Sequence, residues 1–215
     1  MNNNSEKWRE LVKKERAIAV IRSPQFSVGL AIAKAVAEGG IKIIEITWNS
    51  DKPGELITKL RNKLPEINIG VGTILNHYQL KEAIDCGAQF IFCPHVNQEL
   101  IKTANTVNIP IIPGALTPTE IVTAWQAGAT CVKVFPISAM GGVSYIKSLQ
   151  GPLGEIPLIP TGGVTADNAR ELIEAGACGV GLSSELFPKD MVAGENWQAI
   201  AERTATFKQS LLLKS

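Results

Sequence analysis

Two charged residues sit inside segments that otherwise read as buried strands. Thr130-Cys131-Val132-Lys133-Val134-Phe135-Pro136 has the length and β-branched content of a strand interior, yet it carries Lys133 between two valines. Ile41-Lys42-Ile43-Ile44-Glu45-Ile46-Thr47 sets Glu45 among isoleucines. Burying an ammonium among apolar neighbours is costly unless it is paired or gives up its proton. A mid-strand lysine is therefore ion-paired, placed at a strand end with its head in water, or chemically useful, since a free amine is a nucleophile towards carbonyls. Taken singly, each charge is more often structural than catalytic. Together, Lys133 and Glu45 read either as one buried ion pair or as an amine with its proton shuttle.

The elements that must position them repeat along the chain. Short apolar strands begin near Ala17, Ile41, Ile67, Ala88, Ile109, Thr130, Ile156 and Cys178, eight in all and roughly 21 to 26 residues apart. Helical patterns fall between them at about 27–38, 53–62, 77–86, 98–106, 118–127, 142–150 and 166–175. Four strands are entered through similar turns, Gly39-Gly40, Gly87-Ala88, Gly128-Ala129 and Gly176-Ala177. Residues 6–14 form a short amphipathic helix suited to capping a barrel end, and Trp197, Ile200, Ala201, Thr204, Phe207 and Leu211 give a last helix one core-facing side. Strand–helix alternation means a parallel sheet with right-handed crossovers, and eight repeats favour a closed (β/α)8 TIM barrel. The expectation is a single domain spanning 1–215 with an N-terminal helix. The alternative, a doubly wound dinucleotide fold, lacks its fingerprint, because Gly70-Val71-Gly72-Thr73-Ile74-Leu75 ends in leucine where the third glycine should stand.

In such a barrel the C-terminal strand ends converge on one mouth, where the active site lies. The strands deliver to it, in order, Arg22; Glu45, Thr47 and Asn49; Thr73; Pro94 and His95; Lys133 and Phe135; Thr161, Gly162 and Gly163; and Ser183 and Ser184. Period-two alternation puts Glu45, Thr47 and Asn49 on one side of their strand and Cys131, Lys133 and Phe135 on one side of theirs. Pro160-Thr161-Gly162-Gly163-Val164-Thr165 opens a helix, a place where free backbone N–H groups can cradle an anion. The segment 179–186 adds hydroxyls and, through a short helix, further N–H groups, matching the barrel phosphate site after strands seven and eight. Either segment alone reads equally well as an ordinary glycine turn; the two together favour a phosphate or carboxylate site. His95 reads as a pocket-wall or turn residue and His77 as the start of a surface helix.

Composition narrows the partners. With 21 Lys+Arg against 20 Asp+Glu, a net charge of +1 and no long basic run, there is no electrostatic footprint for nucleic acid or an anionic membrane. The partner expected is a small molecule. The opening residues lack the apolar core of a signal peptide and no apolar run reaches about 18 residues, so a cytoplasmic protein is expected. The four cysteines form no C-x-x-C and read as small core residues, and two histidines without H-x-x-x-H spacing give a metal site little support.

Ile44-Glu45-Ile46-Thr47, Gly70-Val71-Gly72-Thr73, Cys93-Pro94, Ile112-Pro113-Gly114, Val132-Lys133-Val134-Phe135-Pro136, Pro160-Thr161-Gly162-Gly163 and Gly181-Leu182-Ser183-Ser184 resemble, in order and spacing, the motifs of the KDPG/KHG aldolases. Those enzymes act on 2-dehydro-3-deoxy-6-phosphogluconate and 4-hydroxy-2-oxoglutarate. The resemblance covers nearly the whole chain. It implies a Schiff-base aldolase on a (β/α)8 barrel, without metal or cofactor, commonly a homotrimer. It makes Lys133 the Schiff-base lysine and Glu45 the acid/base, with Thr73 and Thr161 contacting the substrate's carboxylate and hydroxyl end and Pro94 and Phe135 in the pocket. Gly162, Gly163 and Ser184 become the phosphate site, with Ser183 the alternative serine. One departure stands out: where well-known bacterial members carry an arginine four residues after the glutamate, this chain has Asn49, and Arg22 is the candidate substitute for the carboxylate anchor. Rival readings are another phosphate-binding barrel, which would not require a lysine within the sixth strand; an enzyme mainly for small unphosphorylated 2-keto acids, oxaloacetate included; and a non-catalytic barrel that binds a phosphorylated acid.

Overall fold

A β-branched segment of three to five residues closed by a polar turn is too short to bury its surface alone, and here such segments alternate with helices that cover the sheet. The computed structural model describes residues 3–212; residues 1–2, part of the opening segment considered above, and 213–215 lie outside the described residues. In order they form α1 (Asn3–Glu15), β1 (Ala17–Ile21), α2 (Phe26–Glu38), β2 (Ile43–Thr47), α3 (Pro53–Lys63), β3 (Asn68–Gly72), α4 (His77–Asp85), β4 (Ile91–Phe92), α5 (Gln98–Thr106), β5 (Ile111–Ile112), β6 (Gly114–Ala115) and α6 (Pro118–Gln126). Then come β7 (Val132–Val134), a 3-10 turn (Ile137–Met140), α7 (Val143–Leu153), β8 (Leu158–Pro160), α8 (Ala166–Glu174), β9 (Val180–Leu182), α9 (Lys189–Ala193) and α10 (Trp197–Leu212).

All strand pairs are parallel and run β5-β4-β3-β2-β1-β9 in one sheet and β6-β7-β8 in another. A parallel bridge between Thr161 and Gly181 joins β8 to β9, and only Pro113 separates β5 from β6, so the two sheets make one closed ring. The fold is thus the (β/α)8 barrel the repeats predict, with the expected fifth strand interrupted. Proline has no N–H for the ladder, and Pro113 contributes its carbonyl instead, accepting from Lys133 N at 2.9 Å.

The core has two layers. Between strands and helices lie residues such as Ile44, Ile46, Leu56, Ile69 and Val132. Inside the barrel lie Ile18, Ile43, Phe90, Phe92, Ile112, Cys131, Ile159 and Cys178. α1 closes the N-terminal end of that interior: Trp8 stacks 5.2 Å from the Phe90 ring and donates from Nε1 to Asn68 Oδ1 at 3.1 Å. α10 packs against α2, where a Cβ on Gly39 would lie 2.5 Å from Thr204 Cβ, and its Lys208 is buried against Glu15 at 2.7 Å. The turns singled out in sequence are helix ends, with Gly40, Gly87, Gly128 and Gly176 at φ 94°, 89°, 98° and 109°, the left-handed conformation that favours glycine.

Candidate active site

The interior layer sets up what stands above it. Period two carries Ile18 on to Val20 and Arg22, Ile43 to Glu45 and Thr47, Phe92 to Pro94, Cys131 to Lys133 and Phe135, and Ile159 to Thr161. These side chains line one cavity of about 510 Å³ at the C-terminal strand ends. Essentially every characterised barrel of this kind has its active site on that face.

Lys133 stands on β7, 7% exposed, opposite Gly114 in the ladder. Its Nζ lies 4.7 Å from the centroid of the Phe135 ring and 5.7 Å from that of Phe92. Among the described residues no carboxylate oxygen comes within 4.0 Å of that amine. Glu45, on β2, is 1% exposed, and its Oε2 has no hydrogen-bond partner among the described residues. Burial pushes the Glu45 carboxyl above its ordinary value, against the opposing pull of Lys133 and then Arg22. A close ion pair would satisfy that oxygen, so the geometry fits two neighbouring groups that communicate through the cavity rather than a direct salt bridge. Glycine makes this placement feasible: a Cβ on Gly72 of β3 would fall inside the Glu45 carboxylate. Cys93 lies close enough to feel both groups, yet burial pushes its thiol up to about 12, despite Lys133, which makes it a packing residue rather than a nucleophile.

Around the pair, Arg22 is exposed at the end of β1, and Thr73, with φ 62°, holds a backbone conformation that a β-branched residue rarely adopts. Such strain persists where surroundings over-determine it and is concentrated at functional sites. Pro94 and Phe135 form the wall, Phe135 being 38% exposed, and the Phe135–Pro136 peptide is cis. Thr161 is 8% exposed and packs on Gly181, where a Cβ would lie 2.6 Å from its Oγ1. Gly162 and Gly163, with φ 80° and 89°, lead through Val164 into α8, whose N-cap Thr165 accepts from Asn168 N and completes a capping box. Ser183 and Ser184 both line this end. The expected short helix after the last strand is instead a turn closed by Leu186 N to Ser183 O at 2.9 Å, and α9 starts only at Lys189.

Asn49 is placed differently from the sequence expectation. β2 ends at Thr47, and a turn closed by Ser50 N to Thr47 O at 2.9 Å breaks the alternation, so Asn49 is exposed and is not among the residues lining the cavity. His95 is half-buried outside the lining and His77 is exposed at the start of α4. Sequence reading missed Val20, Leu182, Val164, Thr165 and Glu185 as lining residues. Val20 follows from the same alternation, being paired with Glu45, whereas Leu182 is paired with Ala19 in the layer between strands and helices and Glu185 lies beyond its strand, so no period points to either. Among the described residues no group of three or more His, Cys, Asp or Glu is placed to hold a metal ion, and no helix is long and apolar enough to cross a membrane.

A (β/α)8 barrel with a buried lysine and a buried carboxylate at its C-terminal mouth defines a class of barrel enzymes. The chain belongs to the KDPG and KHG aldolase family, whose model matches residues 9–203. It is 34% identical to the 2-dehydro-3-deoxy-phosphogluconate aldolase of Haemophilus influenzae over 91% of this chain and 90% of the relative. It is also 34% identical to the 2-dehydro-3-deoxy-6-phosphogalactonate aldolase of Escherichia coli over 88% and 91%. Among solved structures, the KDPG aldolase of Legionella pneumophila, with pyruvate captured at low pH as a covalent carbinolamine intermediate, superposes with a TM-score of 0.86 at 27% identity, covering 93% of this chain and 97% of that one. The protein is accordingly an aldehyde-lyase, an aldolase of keto-deoxy acids.

Proposed function

We propose that this chain is a Schiff-base aldolase that needs no metal and cleaves 2-keto-4-hydroxy acids, 2-dehydro-3-deoxy-6-phosphogluconate and 4-hydroxy-2-oxoglutarate among them, to pyruvate and an aldehyde. The observation that carries the reading is the buried amine of Lys133, without a carboxylate within 4.0 Å among the described residues, in one cavity with the carboxyl of Glu45, whose Oε2 has no hydrogen-bond partner among the described residues. The covalent pyruvate adduct of the Legionella relative supports the same first step.

In its unprotonated form Lys133 attacks the 2-keto carbon, and the carbonyl oxygen takes a proton from Glu45. Loss of that oxygen as water leaves an iminium, an electron sink for the neighbouring carbons. Glu45, ionised again, takes the proton of the C4 hydroxyl directly or through a water. The C4–O electrons form the aldehyde as the C3–C4 bond breaks, and its electron pair passes into the iminium to give an enamine of pyruvate. Protonation at C3 and hydrolysis release pyruvate and free the lysine. Thr73 and Thr161 contact the carboxylate and hydroxyl end, Pro94 and Phe135 exclude water, and Gly162, Gly163 and Ser184, with Ser183 beside it, receive a phosphate where the substrate has one. Assembly as a homotrimer belongs to the same reading and is checked by the solution mass.

Borohydride tests it. Reduction in the presence of pyruvate should add the mass of one reduced pyruvate to the peptide carrying Lys133, and Lys133→Ala should abolish the adduct. An adduct on another lysine, or none, rejects the Schiff-base reading and leaves a barrel that binds a phosphorylated acid without this chemistry.

A further inference from the structure

Beside Ser183 and Ser184, the end of the cavity read as the phosphate site is lined by an acidic residue, Glu185. Its side chain is 22% exposed, and it also borders a neighbouring cleft with Asp167, Arg203 and Phe207. Arg203, from α10, reaches Glu185 twice: Nη2 pairs with Oε1, and Nε donates to the backbone oxygen at 2.6 Å. Arg203 does not itself line the catalytic cavity. The cations that do, among the described residues, are Arg22 and Lys133, and both act on Glu45 at the reacting end. The far end therefore offers a phosphate backbone N–H groups, the start of α8 and the hydroxyls of Thr165, Ser183 and Ser184, next to an acidic residue and with no cation among the described residues that line it. Like charges brought together in a partly desolvated site repel strongly. A dianionic tail fits there if the carboxylate is cancelled from behind.

We propose that Arg203 is a specificity-determining positioning residue: by neutralising Glu185 it sets the far end of the cavity to accept a phosphorylated tail. The proposal rests on the aldolase reading above and deepens it. Arg203 touches no substrate; it acts through the charge of Glu185, whereas a purely structural contact would act only through its bond to the Glu185 backbone and the position of the Ser183–Ser184 turn. These two routes predict different results.

The experiment compares kcat/KM for 2-dehydro-3-deoxy-6-phosphogluconate and for its unphosphorylated six-carbon analogue, at low salt, in wild type and four variants. Arg203→Gln should lower the value for the phosphorylated acid roughly 10- to 100-fold, mainly through KM, the scale of an uncompensated like charge, and leave the analogue within about 2-fold. Raising salt to about 1 M, where the screening length falls to about 3 Å, should shrink the defect. Arg203→Gln combined with Glu185→Gln should recover the phosphorylated acid, Arg203→Lys should keep most of it, and Glu185→Gln alone should shift the ratio further towards it. Equal losses on both substrates, or no recovery in the double variant, overturn the proposal in favour of a purely structural contact. Failure of wild type to cleave the phosphorylated acid while it cleaves the analogue overturns it as well. Borohydride trapping of pyruvate on Lys133 is run alongside: an adduct in wild type and in Arg203→Gln keeps the aldolase reading separate from this one, whereas its absence in wild type counts against that reading itself.

Discussion

The carboxylate of Glu45 occupies the space that a side chain on Gly72 would need, across the ladder between β2 and β3. Position 72 is thus a steric requirement of the Glu45 carboxylate rather than a turn glycine. Gly72→Ala forces Glu45 to move within a closed core. Overpacking of this kind costs about 1 to 3 kcal/mol of stability, and a displacement of the order of 1 Å in a reacting group can cost roughly 100-fold in rate. The expected result is a folded protein, checked by melting, with turnover down by about that factor. If turnover stays within a few-fold while the protein remains folded, Glu45 does not need its observed position.

Glu45→Gln keeps the shape and removes the proposed proton shuttle, so turnover should fall roughly 10²- to 10⁴-fold, the usual contribution of general acid/base catalysis, with substrate affinity changed far less. Stability should move the other way. Burial raises the Glu45 carboxyl above its ordinary value of 4.5, so the folded state favours the protonated form. That contribution is fully present below pH 4.5 and is lost as pH rises through the raised folded value. Glutamine mimics the protonated acid and cannot lose the proton. The melting temperatures of wild type and Glu45→Gln should therefore converge in acid and separate towards neutral pH, with the variant the more stable. A constant gap across that range would mean the carboxyl is not held in a desolvating site.

The same alternation that failed for Asn49 carried most of the site. Lys133 and Glu45 were legible because a charge within a β-branched run is costly, and period two then placed Phe135 and Thr47 beside them. The repeats fixed the barrel, and the helix-end glycines marked four of its turns. Three things lay beyond a local reading. The tight turn at Ser50 ends β2 one residue pair too early for Asn49. Pro113 divides the fifth strand because it lacks an N–H, a consequence that depends on its neighbours in the ladder. The approach of Arg203 to Glu185 spans 18 positions and two elements, and no periodicity within either segment records it.

In the proposed mechanism the iminium performs the electron withdrawal that a Lewis acid would otherwise supply, so cleavage should be unchanged in excess EDTA. The measurement is the initial rate before and after exhaustive chelation. Activity lost with the chelator and restored by an added divalent ion would reject the Schiff-base mechanism, even with Lys133 in the cavity.

Anchoring of the substrate carboxylate gives the last prediction. Arg22 lines the cavity at the end of β1, whereas Asn49 is exposed in the turn after β2 and outside the lining. A charge-assisted hydrogen bond contributes about 1.5 to 3 kcal/mol, which is on the order of 10- to 100-fold in rate if it acts in the transition state. If Arg22 is the anchor, Arg22→Ala should lower kcat/KM by that factor for 2-dehydro-3-deoxy-6-phosphogluconate, for 4-hydroxy-2-oxoglutarate and for oxaloacetate decarboxylation alike, because all three present the same 2-keto carboxylate. Asn49→Arg places a guanidinium in the turn that follows the neighbouring strand and should partly rescue Arg22→Ala. Should Arg22→Ala leave every substrate untouched while the phosphorylated acid is still cleaved efficiently, the anchor lies elsewhere, and Thr73 and Thr161 with their neighbouring backbone N–H groups must hold the carboxylate without a cation.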